Sequence, residues 1–514
     1  MKKLTRARLF HILSALCLTS AGAGVMAGSI GPDIYPSRLG LTSFGSGSDD
    51  FDYYGAATVS GTTFSSFAIA NTSCNIGDQQ AEWIDTPNNA RNPIISPALY
   101  RIYQGRFEQI ATGWPKHSFC AVSEFTCGAC QSTNCNTLGI GCADTYWAGL
   151  NGDQFGIGPR WEINPQGEGA NRVHDEVFLT PDGPNVSNGN VLAGRVLVDR
   201  DLIQAGATYL AEIHLVTHDE PLANRYNNAS YRWVSVTNTS IFGVGFNGQP
   251  SSGQASMRPF TPAIYGWQEA DPSVVIVPVT ENEDGLGNGG RFHVGYKVTD
   301  NGDGTWTYVY AVHNLNSDRG GQSFRVPVGE GVTLSNIDFH DVHYHSGDRV
   351  NKTTGSSDWN DNISGTDWSV DTSGGFIEWS TDSFASDQNA NALRWGTTYT
   401  FSFDADSGPV AADSEIGLYK GGTGPSTLTA SVDGPEGMPL GTPCPTDCSP
   451  DNGDGTFGND VTNIDDLLEV INSFGAAGGP CDSAPDNGDG TFGNNIVNID
   501  DLLNVINNFG PCPA

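Results

Sequence analysis

The sequence predicts a mainly β protein, with a large antiparallel β-sandwich body followed by a small C-terminal module of two helices. In the first 420 or so residues, apolar and polar side chains alternate with a period of two, and no long helical period occurs. The 65 glycines and the many Asn and Asp residues fit frequent turns between short strands. The last 70 or so residues instead contain two copies of a helical pattern.

The chain begins with a pattern typical of a secretory signal peptide. A basic head within the first eight residues precedes an apolar run over 9–18, and small residues then lead to a predicted cleavage site after Ala27. The run is shorter than the roughly 20 residues that a membrane span needs. Cys17 leaves a lipoprotein anchor open, although Leu16 is larger than such a site expects. We therefore expect an extracellular or cell-surface protein without a transmembrane segment.

Composition limits the classes of partner. Removal of residues 1–27 leaves 20 basic and 58 acidic residues, a net charge near −38. Such a charge repels nucleic acid and anionic membranes, so neither is expected as a partner. An aromatic content of 10% favours a packed core over disorder.

Ten cysteines remain beyond the leader, an even number that predicts disulfides in an exported protein. We expect three bonds in the body and two in the tail, with the pairing left open. Four of the body cysteines, at 127, 130, 135 and 142, are also spaced so that they could hold zinc. The candidates are Cys74, Cys120, Cys127, Cys130, Cys135, Cys142, Cys444, Cys448, Cys481 and Cys512.

The body, residues 28–420, contains three well-marked strand regions. A hairpin is predicted over 292–298 and 306–312, a further strand over 208–218, and another over 397–403. The body is expected to be one large or two packed sandwiches, with a possible boundary near residue 180. Within the hairpin, Asp300–Thr305 (DNGDGT) is interpreted as a turn, and a calcium site is the less favoured alternative.

Residues 421–443 have the Gly, Pro, Ser and Thr content of a linker, and a tandem repeat occupies 444–514. The segments 449–475 and 484–510 align without gaps at a period of 35, with 21 of 27 positions identical. Each unit has an acidic, glycine-rich loop and then a predicted helix that is capped by Asn463 or Asn498 and ends before a glycine. We expect the apolar stripes of the two helices to face each other; they are Ile464, Leu467, Leu468, Ile471 and Phe474, and Ile499, Leu502, Leu503, Ile506 and Phe509.

With its Asp-Asp-Leu-Leu helices and final Phe-Gly-Pro-Cys, this tail resembles type I dockerin repeats. The resemblance implies paired calcium loops that dock onto a partner protein, either a cohesin-like domain or a cell-surface component. Calcium is the cofactor that the resemblance implies, and hard oxygen ligands suit it. Matched by position, the implied ligands are Asn452, Asp454, Thr456, Asp466, Asn487, Asp489, Thr491 and Asp501.

Two departures from the dockerin pattern affect this calcium prediction. Pro450 and Pro485 stand where the first ligand belongs, and each loop is about five residues longer than expected. Asp466 and Asp501 each lie three residues after a capping asparagine, so they can instead serve only as helix caps.

Histidines and acids of the body form two candidate metal or acid–base groups. Glu212, His214 and His218 share one face of a predicted strand, and Asp341, His343 and His345 share a face of another. Imidazole and carboxylate groups suit zinc, copper or proton transfer. The favoured alternative is that both are the solvent-exposed polar faces of a sandwich.

A third candidate group suits polysaccharide hydrolysis, because paired carboxylates cleave glycosidic bonds and tryptophans stack on sugars. Its members are Asp358, Asp361 and Asp367, with Trp359, Trp368 and Trp379.

Three functions remain open. The first is a non-enzymatic binding or structural protein of the cell surface, with polysaccharide or protein as its ligand. The second is a polysaccharide-degrading hydrolase that carries a dockerin, and the third is a metal-dependent enzyme that uses the histidine-rich strands. The sequence does not decide whether the body is an enzyme.

Overall fold

A computed structural model describes most of the body and the two tail helices. The described residues are 30–40, 51–84, 89, 91–154, 156–166, 191–240, 243–247, 257–281, 289–329, 331–346, 363–422, 424–435, 444, 446–449, 461–485 and 493–511.

The first half of the body contains fourteen described strands. They are β1 Ile34–Leu39, β2 Phe51–Val59, β3 Thr62–Ile69, β4 Asn71–Asn75, β5 Ala81–Glu82, β6 Ile94–Tyr103, β7 Arg106–Thr112, β8 Lys116–His117, β9 Thr137–Leu138, β10 Ala143–Tyr146, β11 Val196–Asp199, β12 Thr208–Val216, β13 Ala229–Ser240 and β14 Gly243–Asn247. Short helical segments lie between them: α1 Ala148–Asn151 and the 3₁₀ turns Arg160–Glu162, Arg200–Leu202 and Leu222–Asn224.

These strands form a first sandwich. One sheet has the order β14-β13-β12-β6-β7, with β8 paired to β6, and two three-stranded sheets, β1-β4-β10 and β11-β3-β2, cover it. The core includes Ile213 and Leu99 from the large sheet and Phe67 and Val196 from the sheet that contains β3. The predicted apolar face of β12 points into this core, as its alternation indicates.

The second half begins with helix α2 Tyr265–Ala270 and contains ten described strands. They are β15 Val275–Thr280, β16 Arg291–Asp300, β17 Trp306–Asn314, β18 Gly321–Pro327, β19 Leu334–His340, β20 Ser369–Asp371, β21 Phe376–Ser380, β22 Thr397–Ala405, β23 Pro409–Leu418 and β24 Thr427–Pro435.

These strands form a second sandwich, in which the sheet β15-β16-β17-β22-β19 faces the sheet β20-β21-β18-β23-β24. Tyr310, Phe401 and Trp379 meet in its core. The predicted hairpin is confirmed, since Asp300 of β16 pairs with Trp306 of β17. Between them DNGDGT is a turn, in which Gly302 and Gly304 have φ of 76° and 91° and Asp303 accepts from the Thr305 backbone. The mainly β, antiparallel fold class is thus confirmed.

Two predicted boundaries need correction. Strands on either side of residue 180 pair with each other, β6 with β12, so a boundary there would divide a single sheet. The change of sandwich lies between Asn247 and Val275. The predicted linker at 421–443 contains β24, whose residues Leu428, Ala430 and Val432 alternate into the second core. Because every second side chain of this segment is buried in the core, the segment forms a strand despite its linker-like composition.

The two sandwiches pack directly on each other, and we call this interface the seam. It lies between the face of β6, β7 and β12 that points away from the first core and the corresponding face of β16, β17 and β22. Its apolar part includes Leu210, Phe107, Trp267 and Ala311. A Cβ at Gly266 of α2 would lie 2.3 Å from Leu210 Cδ2, so glycine permits this close approach.

Hydrogen bonds also cross the seam. Gln109 of β7 accepts from Thr398 N at 2.7 Å through its Oε1, and Thr400 donates its hydroxyl to the carbonyl of Phe107. Gln109 is fully buried, so the bond is shielded from water.

Disulfides are confirmed and their pairing is now defined. The described bonds are Cys74–Cys127, Cys120–Cys135 and Cys130–Cys142 in the body and Cys448–Cys481 in the tail. Cys444 is also disulfide-bonded, and Cys512 lies outside the described residues. The zinc alternative is wrong, because all four of its cysteines are oxidised and no thiolate is left to bind metal.

The tail contains the short strands β25 Val461–Thr462 and β26 Gly510–Pro511, which pair, and helices α3 Ile464–Asn472 and α4 Ile499–Asn507. Asn463 and Asn498 cap these helices as predicted. Their common core consists of Val470, Val497, Val505 and the Cys448–Cys481 bond. No helix in the described part of the chain is long and apolar enough to cross a membrane.

The predicted facing of the two helical stripes is wrong. Of the predicted residues, only Leu467 and Leu502 contact the tail core. The other members are about half exposed: Ile464, Leu468, Ile471 and Phe474, and Ile499, Leu503, Ile506 and Phe509. Val470 of α3 and Val505 of α4, each one residue before an exposed isoleucine, form the inner faces instead, and Val497 joins them from just before α4.

Replacement of Gln109 by leucine is expected to lower the free energy of unfolding by about 1–3 kcal/mol, because it leaves the buried Thr398 N–H without its acceptor. Chemical denaturation of the full-length protein measures the loss, with the exposed Gln131→Leu as the control. Equal midpoints for both variants would contradict a contribution of this bond to the seam.

Candidate functional site

The polar face of β12 does not lie in solvent. Glu212 and His214 are 1% and 2% exposed, because this face, with Leu210, is covered by the second sandwich at the seam. The interpretation of these two residues as a solvent-exposed face is therefore wrong. A surface alternation and an alternation between two cores have the same period, and the sequence does not distinguish them.

Glu212 is held by two donors within the seam. Ala263 N donates to its Oε2 at 2.6 Å, and the Tyr100 hydroxyl donates to its Oε1 at 3.2 Å. Burial raises the pKa of Glu212 to about 7 despite these hydrogen bonds and the nearby Arg160.

Two further histidines, which the sequence analysis missed, join His214 at the seam. His293 of β16 and His313 of β17 are both buried, with their ring centroids 6.0 Å apart. Burial lowers the pKa of His214 and of His313 to about 3 and holds that of His293 well below its usual value. On its own strand, each histidine points to the face opposite the one that carries the aromatic residues. This alternation is the sequence signal that could have indicated them.

His218 lies apart from this group, beyond the end of β12. Its Nε2 is 3.1 Å from Glu82 Oε2, and its Nδ1 is 4.0 Å from Asp219 Oδ1. Burial lowers the pKa of His218 to about 4, and Arg91 and Arg225 lower it further. With these two cations near, the surroundings oppose a metal ion. The structure thus separates His218 from Glu212 and His214.

In the second predicted histidine group, the structure keeps the two histidines together, while Asp341 bonds to a residue outside the group. The expected strand ends at His340, and Asp341 accepts a hydrogen bond from Asn391. Burial raises the pKa of Asp341 to about 6. The rings of His343 and His345 lie 5.4 Å apart, and His345 N donates to His343 Nδ1 at 3.1 Å. His345 Nε2 also lies 2.7 Å from the Thr112 carbonyl oxygen, and the ring of His343 lies 5.4 Å from that of Phe64.

No group of three or more His, Cys, Asp or Glu side chains among the described residues is arranged to hold a metal ion. The tryptophans of the hydrolase hypothesis do not line a cleft either, because Trp368 and Trp379 lie in the second core. Asp358, Trp359 and Asp361 lie outside the described residues.

The two described tail aspartates of the predicted calcium set lie in capping boxes. Asp466 is fully buried, and its Oδ1 accepts from Cys448 N and Ser449 N at 2.8 and 2.9 Å. Its Oδ2 accepts from Asn463 N at 2.7 Å. The carboxylate therefore ties the start of α3 to the segment that precedes the loop.

Asp501 repeats this arrangement in the second unit. It accepts from Ser483 N, Ala484 N and Asn498 N at 2.7, 2.8 and 2.7 Å. Both aspartates thus act as caps, the alternative role that their spacing allowed. The other six predicted ligands lie outside the described residues, and their role stays a prediction: Asn452, Asp454, Thr456, Asn487, Asp489 and Thr491.

Comparisons with known proteins add little to this geometry. No protein-family model and no curated protein matches the chain. It is similar to the solved exo-chitosanase CsxA of Amycolatopsis orientalis at 11% identity, over 71% of this chain and 25% of that chain, with a TM-score of 0.14. A structure of the exo-β-D-glucosaminidase CsxA with inhibitors matches at 9% identity, over 72% and 25%, also with a TM-score of 0.14. The chain spans about a quarter of the chains it matches, and likenesses this low support no inference about fold or activity.

The three seam histidines are each expected to contribute an acid-sensitive part of the body's stability. Each is neutral when folded and gains a proton on unfolding below about pH 6.5, so stability is lost as the pH falls through that value. Glu212 contributes with the opposite sign between its ordinary and raised pKa, as do the buried carboxyl groups of Asp144, Asp219, Glu220 and Asp341. Replacement of His313 by glutamine is expected to reduce the loss between pH 6.5 and 5 by about 2 kcal/mol. Denaturation midpoints across this range measure it, with the exposed His343→Gln as the control, and identical pH profiles for wild type and His313→Gln would disprove the assignment.

Replacement of Asp466 by asparagine is expected to destabilise the tail by about 1–3 kcal/mol, because one backbone N–H loses its acceptor. As a cap, Asp466 should show this loss equally with calcium and with EDTA present. Thermal unfolding of the full-length protein provides the measurement, and the exposed neighbour Asp465→Asn is the control. A loss that disappears in EDTA would instead identify Asp466 as a calcium ligand.

Proposed function

We propose that this chain is an exported, surface-held modular protein whose tail docks onto a partner protein and thereby presents the body. The leader sequence supports export, and the disulfides support an oxidising compartment outside the cytosol. In this proposal the body has a binding or structural role, with polysaccharide or protein as its ligand.

The exposed apolar stripe on each tail helix carries the proposal. Ile464, Leu468 and Ile471 project from α3, and each is 49–57% exposed. The corresponding residues of α4, Ile499, Leu503 and Ile506, are exposed to a similar degree. The tail core is complete without them, so folding of the tail does not explain these large apolar side chains. Clustered exposed apolar residues of this kind mark interaction surfaces.

The surroundings of the stripes indicate the chemistry of the partner. Asp465 and Asp500 lie in the first turns of the helices, and neither helix has a basic residue in its last turn. A complementary surface is therefore an apolar patch with basic residues at its rim. The resemblance to type I dockerins makes a cohesin-like domain the partner we propose.

The two sandwiches of the body are packed firmly against each other. A tail that docks onto a partner would therefore hold both of them. Buried aromatic packing and hydrogen bonds at the seam connect the halves. The hydrolase alternative is not proposed, because two of its three tryptophans are buried in the second core and do not line a cleft.

Replacement of both Leu468 and Leu503 by aspartate is expected to weaken docking by roughly 10-fold to 100-fold, because each change places a charge in the apolar contact. Biolayer interferometry of the full-length protein against a panel of immobilised cohesin domains tests this. Val370→Asp, at a similarly exposed body position, is the control. Undiminished binding by the double variant would rule out the stripes as the contact, and a panel without any binder would reject this class of partner.

A further inference from the structure

We infer that the seam contains a binding site for a small monovalent anion such as chloride, centred on the Arg160 guanidinium. The inference concerns the body and does not depend on the proposed docking function of the tail.

Arg160 is a buried cation, and within the described part of the chain its guanidinium donates to neutral oxygens and contacts no carboxylate. It is 3% exposed, and its Nε donates to Thr112 Oγ1 at 3.0 Å, while its Nη2 donates to the Pro97 carbonyl at 3.1 Å. The guanidinium lies over the Trp395 ring, 5.1 Å from its centroid. Both oxygen partners are neutral, and Nη1 has no hydrogen-bond partner among the described residues. A buried charge in this state is costly unless an opposite charge approaches it.

Three other buried polar atoms of the seam also have no hydrogen-bond partner among the described residues. They are Ser96 Oγ, His214 Nδ1 and His313 Nε2, and their residues are at most 2% exposed. Ser96 is paired with His214 across β6 and β12, so their side chains share the seam face. The His214 ring meets the same Trp395 at 5.6 Å. Such a group of unpaired atoms needs a ligand that accepts hydrogen bonds.

Each of these atoms can donate to an anion. The serine hydroxyl rotates freely, and His214 carries a ring proton on Nδ1 in one of its two neutral tautomers. His313 Nδ1 lies 2.9 Å from Thr398 Oγ1; when Thr398 donates this bond, the ring proton resides on Nε2.

The charges that face the site favour an anion over a cation. Arg160 is positive, and burial favours the neutral forms of His214, His293 and His313 by lowering their pKa values. Among the described carboxyl groups, Glu212 acts on Arg160, together with the hydroxyls of Tyr100 and Tyr344. Both Glu212 oxygens already accept hydrogen bonds, so this carboxylate does not fill the position at Nη1.

Bromide is the probe for the crystallographic test. Crystals of the full-length protein soaked in bromide should show an anomalous peak in contact with Arg160 Nη1, and the peak should be absent from crystals of Arg160→Gln. Density for water alone at this position, with no anomalous signal, would overturn the proposal.

A solution measurement keeps the proposal testable if Arg160→Gln does not fold. The thermal midpoint of the wild type should rise with chloride relative to gluconate at equal ionic strength and should saturate, because binding to the folded state stabilises it. Ser96→Ala should shift the half-saturating chloride concentration upward several-fold. Arg195→Gln, which alters a cation stacked on Tyr54 away from the seam, should behave as the wild type does. A chloride effect that is absent in the wild type, or unchanged in Ser96→Ala, would refute the site.

Discussion

Burial of both faces of β12 is the constraint on which the rest of the body depends. Ile213 and its neighbours enter the first core, while Leu210, Glu212 and His214 enter the seam. A strand covered on both sides must satisfy its polar groups within the protein, because water is excluded. Tyr100 and Ala263 supply such partners to Glu212, and Gln109 of β7 adds a bond to Thr398 N across the seam. The seam therefore joins the two sandwiches through specific hydrogen bonds as well as through apolar area.

The same exclusion of water explains the protonation states of the body. Glu212, His214, His293 and His313 all have shifted pKa values, and burial is the largest cause for each. Every shift favours the neutral form. Arg160 remains the exception, since a guanidinium stays charged at neutral pH even when burial lowers its pKa to about 10. It is therefore the dominant charge in this part of the seam.

In the tail, one buried carboxylate in each unit caps the start of its helix. Asp466 and Asp501 each bind three backbone N–H groups and so join the helix start to the chain that precedes the loop. These caps, the Cys448–Cys481 bond and the small core hold the tail together without the residues on the outer face of each helix. The apolar side chains on that face are thus available for a partner.

The sequence by itself determined the local elements: the hairpin of β16 and β17, the turn at Asp300–Thr305, the strand β12 and the capped helices of the tail. These follow from interactions between residues close in the chain, namely period-two alternation, turn-forming glycines and asparagine caps. The tertiary structure alone decided which surfaces are buried. Glu212 and His214 are buried at the seam, and Trp368 and Trp379 are buried in the second core. Residues that resemble a linker form β24, and Leu468 and Leu503 are exposed. The physical reason is that an alternating pattern specifies two faces of an element but not what covers each face, which depends on strands and helices distant in the chain.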